Sequence, residues 1–130
     1  MERLKERLQI ANQALSRLEE ALTIDTPSLL ERDATIQRFE FTFEALWKVA
    51  KEYLYTIEGL DVASPKGVIR SSRELGILDE PTAILALIMT DDRNLTVHTY
   101  NEALAIEIYN RIKPYASLMR DWLNKLDQRT

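Results

Sequence analysis

The stretch TDDRNLTVHTYNE, Thr90 to Glu102, holds the sole histidine of the chain, His98, with Arg93, Asn94 and Tyr100 close by. These side chains cover several chemical needs at once. An imidazole titrates near neutrality and suits acid or base work. A guanidinium is permanently charged and forked, which suits phosphoryl oxygens. Asn94 adds an amide that can orient a phosphate or the histidine, and Tyr100 adds a phenol. Spacing alone favours a plainer reading, a polar junction between helices in which His98 caps carbonyls and Arg93 pairs with Asp91 or Asp92. On an uninterrupted helix, five residues turn about 140° past full circles, so Arg93 and His98 would point apart. They converge only if the helix breaks between them or if each meets a second subunit.

Other candidates are weaker. Glu40 and Glu44 lie four apart on one helix, but no Glu precedes His98 by three, as a carboxylate-bridged metal site requires. Glu44 with Lys48 reads as a surface ion pair, and no metal or cofactor is expected. Asn94-Leu-Thr96 matches a glycosylation acceptor by chance. Tyr53, Tyr55 and Tyr115 fit core or interface positions with a wet hydroxyl.

The elements that carry these residues read as helices throughout. Leu4, Leu8, Ala11, Leu15, Leu18 and Leu22 step by four and three, the mark of an amphipathic helix. Ser28 and Glu31 form a capping box that opens the longest helix, with Ile36, Phe39, Phe43, Leu46, Ala50, Tyr53 and Ile57 on its apolar face. Phe41, Trp47 and Leu54 widen that face, and the helix ends near Gly59. Ser64 and Pro65 start a short helix that Gly76 stops. Asp79 caps the next, whose run AILALIM is apolar on all sides and predicts a place in the middle of the bundle. Thr99 and Glu102 predict a capping box for the last helix, and Pro114 predicts its kinking or splitting. The expectation is an all-α, up-and-down four-helix bundle with one extra short helix, forming one domain over residues 1–130.

Bulk properties agree with a single-core protein of 130 residues. No cysteine is present, which excludes a disulfide framework and thiolate chemistry and suits a cytoplasmic location. The N-terminus lacks the apolar core of a secretory signal, and the run Ala83 to Met89 is too short to span a bilayer. A net charge of −4 opposes avid nucleic-acid binding, so any RNA contact needs a local basic patch.

Two segments together resemble a family. Arg93-Asn-Leu-Thr-Val-His98 fits the R-x4-H motif of HEPN domains, and Tyr100 extends it to R-x4-H-x-Y. IQRFEFTFEALWKVAKEYL, Ile36 to Leu54, looks like the aromatic second helix of the branch called nucleotidyltransferase substrate-binding proteins. The resemblance implies a homodimeric helical bundle whose motifs line a shared cleft, acting beside a minimal nucleotidyltransferase. It implies one of two activities. The first is a metal-independent endoribonuclease toxin using Arg93, Asn94 and His98, silenced when the nucleotidyltransferase antitoxin transfers AMP to Tyr100. The second is a non-catalytic substrate- or nucleotide-binding subunit of a two-component nucleotidyltransferase. No nucleotidyltransferase active site or glycine-rich phosphate loop is present, so the chain alone is not expected to transfer nucleotides.

Overall fold

The computed structural model describes residues Met1–Thr130 and contains only helices: α1 (Glu2–Ala21), α2 (Leu29–Thr56), α3 (Pro65–Glu74), α4 (Glu80–Leu95), a 3-10 turn (Thr96–His98) and α5 (Glu102–Gln128). This is the all-α bundle the periodicity predicts, four long helices and one short one. No helix is long and apolar enough to cross a membrane.

Local signals set most boundaries. The Ser28 side chain accepts from the Glu31 amide while Glu31 reaches back to the Ser28 amide, a complete capping box. Ser64 accepts from Gly67 N at 3.1 Å, and Asp79 accepts from Thr82 N at 2.9 Å. Gly59 and Gly76, at φ +71° and +74°, supply the left-handed residues after α2 and α3.

α2 is the hub, touching each of the other α-helices. Ile36, Phe39, Phe43, Leu46, Ala50, Tyr53 and Leu54 are buried along it, and each large apolar side chain removed from water contributes about 1.5–3 kcal/mol. α1 covers one side with Leu4, Ala11, Leu15 and Leu18. α5 covers another with Ile108, Ile112, Met119 and Trp122, and Tyr115 stacks on Phe39 at 5.7 Å. Arg32 of α2 forks onto Glu102 at the start of α5 and onto Asp33, tying the two helix beginnings together.

Four local expectations are corrected. α4 does not lie in the middle: α2 fills that place, and Ile84 and Ile88 are about half exposed. Ile57 and Phe41 also face solvent substantially, which narrows the buried face of α2. The cap of α5 is Asn101 and not Thr99, because the Asn101 side chain accepts from Leu104 N at 3.2 Å and the Thr99 hydroxyl instead donates to Thr96 O. α5 is also not split at Pro114, since one helix runs through it. Pro114 and Asn110, whose carbonyl loses its partner, are both on the exposed face, where the carbonyl is open to solvent.

Candidate functional site

The helix break that Arg93 and His98 require is present. Arg93 sits in the last turn of α4, and His98 ends the 3-10 turn that follows. Threonines shape the break, since the Thr96 hydroxyl donates to Arg93 O at 2.6 Å and that of Thr99 to Thr96 O at 2.8 Å. Such side-chain bonds compete with helical ones and favour turns. Asn101 N then donates to His98 O at 3.0 Å.

The four predicted site residues fall into two pairs. Arg93 donates to Glu44 of α2 at 3.0 Å and makes a marginal contact with Asn94 Oδ1 at 3.5 Å. Its guanidinium carbon lies 5.9 Å from the centre of the Phe43 ring, a cation–π arrangement. Its Nε is buried without a hydrogen-bond partner. His98 is exposed, and its Nδ1 lies 3.4 Å from the Tyr100 hydroxyl, with the rings edge to face. Tyr100 is 85% exposed. No hydrogen bond joins one pair to the other within the chain.

The plain reading of the motif is therefore wrong in its partners. Asp91 pairs with Lys66 at 2.7 Å, Asp92 pairs with Arg111, and the His98 ring caps no carbonyl. Each partner comes from a different helix, which local spacing does not reveal.

Two carboxylates gain roles the sequence reading missed. Glu44 accepts from Trp47 Nε1 at 3.1 Å and from Lys48 Nζ at 3.3 Å as well as from Arg93. Partial burial pushes its carboxyl pKa up. The hydrogen bonds from Trp47 and Lys48 and the Arg93 charge outweigh that, holding the carboxyl below its ordinary value. The i, i+3, i+4 spacing of Glu44, Trp47 and Lys48 carried part of this signal.

Asp92 is the second. It is 5% exposed and is held by Arg111 at 2.8 Å and 3.1 Å and by the Tyr115 hydroxyl. Burial, and then the bond to Asp92, push the Tyr115 hydroxyl pKa up, so it stays a donor. Tyr115 is thus a core residue whose hydroxyl is dry, not wet. Arg111 and Tyr115 share one face of α5 four residues apart, and Asp92 docks there beside Arg93. That anchors the end of α4 on α5 just where the motif begins. No group of three or more His, Asp or Glu side chains is arranged to hold a metal ion.

The chain as a whole is similar to several known proteins. A crystal structure from Thermus thermophilus superposes with a TM-score of 0.86 at 56% identity, over 89% of this chain and 98% of that one. A Haemophilus influenzae structure, described as revealing the fold of a substrate binding domain of a nucleotidyltransferase, matches with a TM-score of 0.79. It is 22% identical over 92% of this chain and 98% of that one, which bears on the fold alone. A protein named "Probable ribonuclease HepT" from the Haemophilus influenzae Rd strain is 28% identical over 98 residues. That alignment spans 72% of this chain and 66% of the relative's length, just under two thirds. The family described as "Nucleotidyltransferase substrate binding protein like" matches residues 6–128, nearly the whole chain, and the protein belongs to that family.

Proposed function

We propose that residues 1–130 act as one HEPN domain that partners a minimal nucleotidyltransferase and cleaves RNA without a metal. The observation that carries the reading is the break between α4 and α5, which leaves His98 and Tyr100 exposed beside the end of α4 that bears Arg93. In such cleavage a base takes the ribose 2′-OH proton, the 2′ oxygen attacks phosphorus, and the 5′ oxygen leaves with a proton. His98 is the proton-transfer group, Arg93 stabilises the charge on the phosphoryl oxygens, and Asn94 orients the phosphate.

One imidazole cannot conveniently supply and remove a proton in the same event, so a two-fold dimer that brings two is part of the reading. Ile84, Ile88 and Leu95 form one exposed stripe on α4, and Val97 continues it on the 3-10 turn. A second copy covering this stripe would also seat its motif beside the first.

Tyr100 is the control point. Its phenol attacks the α-phosphate of ATP, pyrophosphate leaves, and the phenolic proton is released. The resulting phosphodiester places a negative charge and a nucleoside over His98, competing with RNA for the site.

The test is cleavage of single-stranded RNA by the purified protein in excess chelator, alongside His98→Ala and Arg93→Ala. Both variants are expected to lose at least ~100-fold in rate, the usual scale for a general acid–base group. Unchanged cleavage in both overturns the assignment. A specific feature favours the second reading, a non-catalytic substrate- or nucleotide-binding subunit: Arg93 is already ion-paired with Glu44. An inactive protein that still forms a complex with its nucleotidyltransferase and binds that enzyme's acceptor would decide for it.

A further inference from the structure

The molecule is acidic as a whole, with net charge −4, yet one surface is not. Three clefts, of about 310, 310 and 170 Å3, follow one another along the seam between α1 and α2. The first and second share Arg7 and Lys48, and the second and third share Ile10 and Phe41, so they form one continuous furrow. Its α1 side runs from Arg3 to Arg17, roughly 21 Å at the helical rise.

Six cations line it: Arg3, Arg7, Arg17, Arg38, Lys48 and Lys51. The carboxylates are Glu44, Glu52 and Asp61, leaving a surplus of three positive charges. Pairing inside the furrow is incomplete. Glu52 alone faces both Arg3 and Arg7, each at 3.7 Å, and Lys48 pairs with Glu44 at 3.3 Å. The Arg7 Nε is buried without a hydrogen-bond partner. Arg38 donates to the backbone carbonyl of Arg17, and neither Arg17, Arg38 nor Lys51 meets a carboxylate. Phe41 and Tyr55 are more than half exposed between these cations. At its middle the furrow reaches Glu44, the residue that holds Arg93.

We propose that this furrow is a track for single-stranded RNA that leads into the Arg93 and His98 site. A line of cations, of which Arg17, Arg38 and Lys51 have no carboxylate partner, follows a phosphate backbone, and exposed aromatic rings between them stack on bases without sequence preference. A folded acidic protein would have to present a narrow ridge to fill the same groove. The inference deepens the reading of this chain as an RNA-acting protein and rests on it.

Binding is measured by fluorescence anisotropy of a labelled mixed-sequence RNA 12-mer on the full chain carrying His98→Ala, across a salt series. Adding Arg17→Glu, Arg38→Glu and Lys51→Glu together is expected to weaken binding at least ~tenfold and to flatten the salt slope by about 2, at roughly 0.7 per lost phosphate contact. Lys113→Glu, on α5 outside the furrow, is expected to leave binding unchanged. Circular dichroism checks the fold, and should the triple variant unfold, Lys51→Gln alone must still flatten the slope. Equal affinity and slope in the furrow variants overturn the track. So does retained RNA binding with lost binding of the nucleotidyltransferase, which makes the furrow a protein-docking surface. The two readings fail separately: RNA bound in the furrow but never cleaved removes the ribonuclease activity, whereas undiminished cleavage by the triple variant removes the track.

Discussion

The Arg93 guanidinium of α4 donates to the Glu44 carboxylate of α2 at 3.0 Å, so the arginine of the motif is already ion-paired within its own chain. Both side chains are more than a third exposed, and such a pair contributes only about 0–1 kcal/mol. Glu44→Gln therefore leaves stability nearly unchanged while freeing Arg93 for phosphate. The expected outcome is a lower KM for RNA and a higher kcat/KM, read from steady-state cleavage.

The same pair carries a pH signature. The Glu44 carboxyl is held below its ordinary 4.5, so the contact is complete above that value and is lost as pH falls through the lowered one. Following the Trp47 indole N–H by NMR should give a transition with a midpoint below 4.5. In Glu44→Gln that transition should be absent.

Asp92 should matter more to stability than Glu44, because it is buried. Asp92→Ala leaves the Tyr115 hydroxyl without an acceptor, a loss of about 1–3 kcal/mol in urea denaturation. At the alkaline end the sign reverses relative to Glu44. The Tyr115 hydroxyl pKa is raised above 10.0, so its contribution is whole below that value and is lost as pH rises through the raised one. Tyr115→Phe should remove that part of the alkaline slope.

The α4 stripe predicts an assembly phenotype. Ile88→Glu places a charge on an exposed apolar strip without touching the core. Sedimentation should show the wild type as a dimer and the variant as a monomer of unchanged helix content. RNA cleavage should be lost with the dimer.

Tyr100 gives the last test. Incubation with the cognate nucleotidyltransferase and ATP should add AMP to the wild type and not to Tyr100→Phe, by intact mass. Equal addition to both rejects the tyrosine as acceptor.

Much of the fold was legible because its causes are local. The Ser28 and Glu31 box, the Ser64 and Asp79 caps and the steps of three and four through α1 and α2 each act within a turn or two. What escaped depended on which side of a helix meets another. Pro114 is harmless only because it and Asn110 face solvent, and AILALIM on α4 looks central only if the packing of α2 is ignored. The motif residues could be named from sequence, but Glu44 and Asp92 could not be assigned to them. One reaches Arg93 across 49 residues, and the other reaches Tyr115 across 23.

Asp92 docked on α5 and Glu102 clasped by Arg32 fix the two ends of the nine residues from Arg93 to Asn101. Past the end of α4 at Leu95, the backbone from Thr96 to Asn101 is held mainly by single turn bonds from Thr96, Thr99 and Asn101. Amides there should exchange with solvent through small local openings, while those of the flanking helices wait for global unfolding. A ligand arriving at this span can reshape it at the expense of a few threonine contacts, leaving the packed interior untouched.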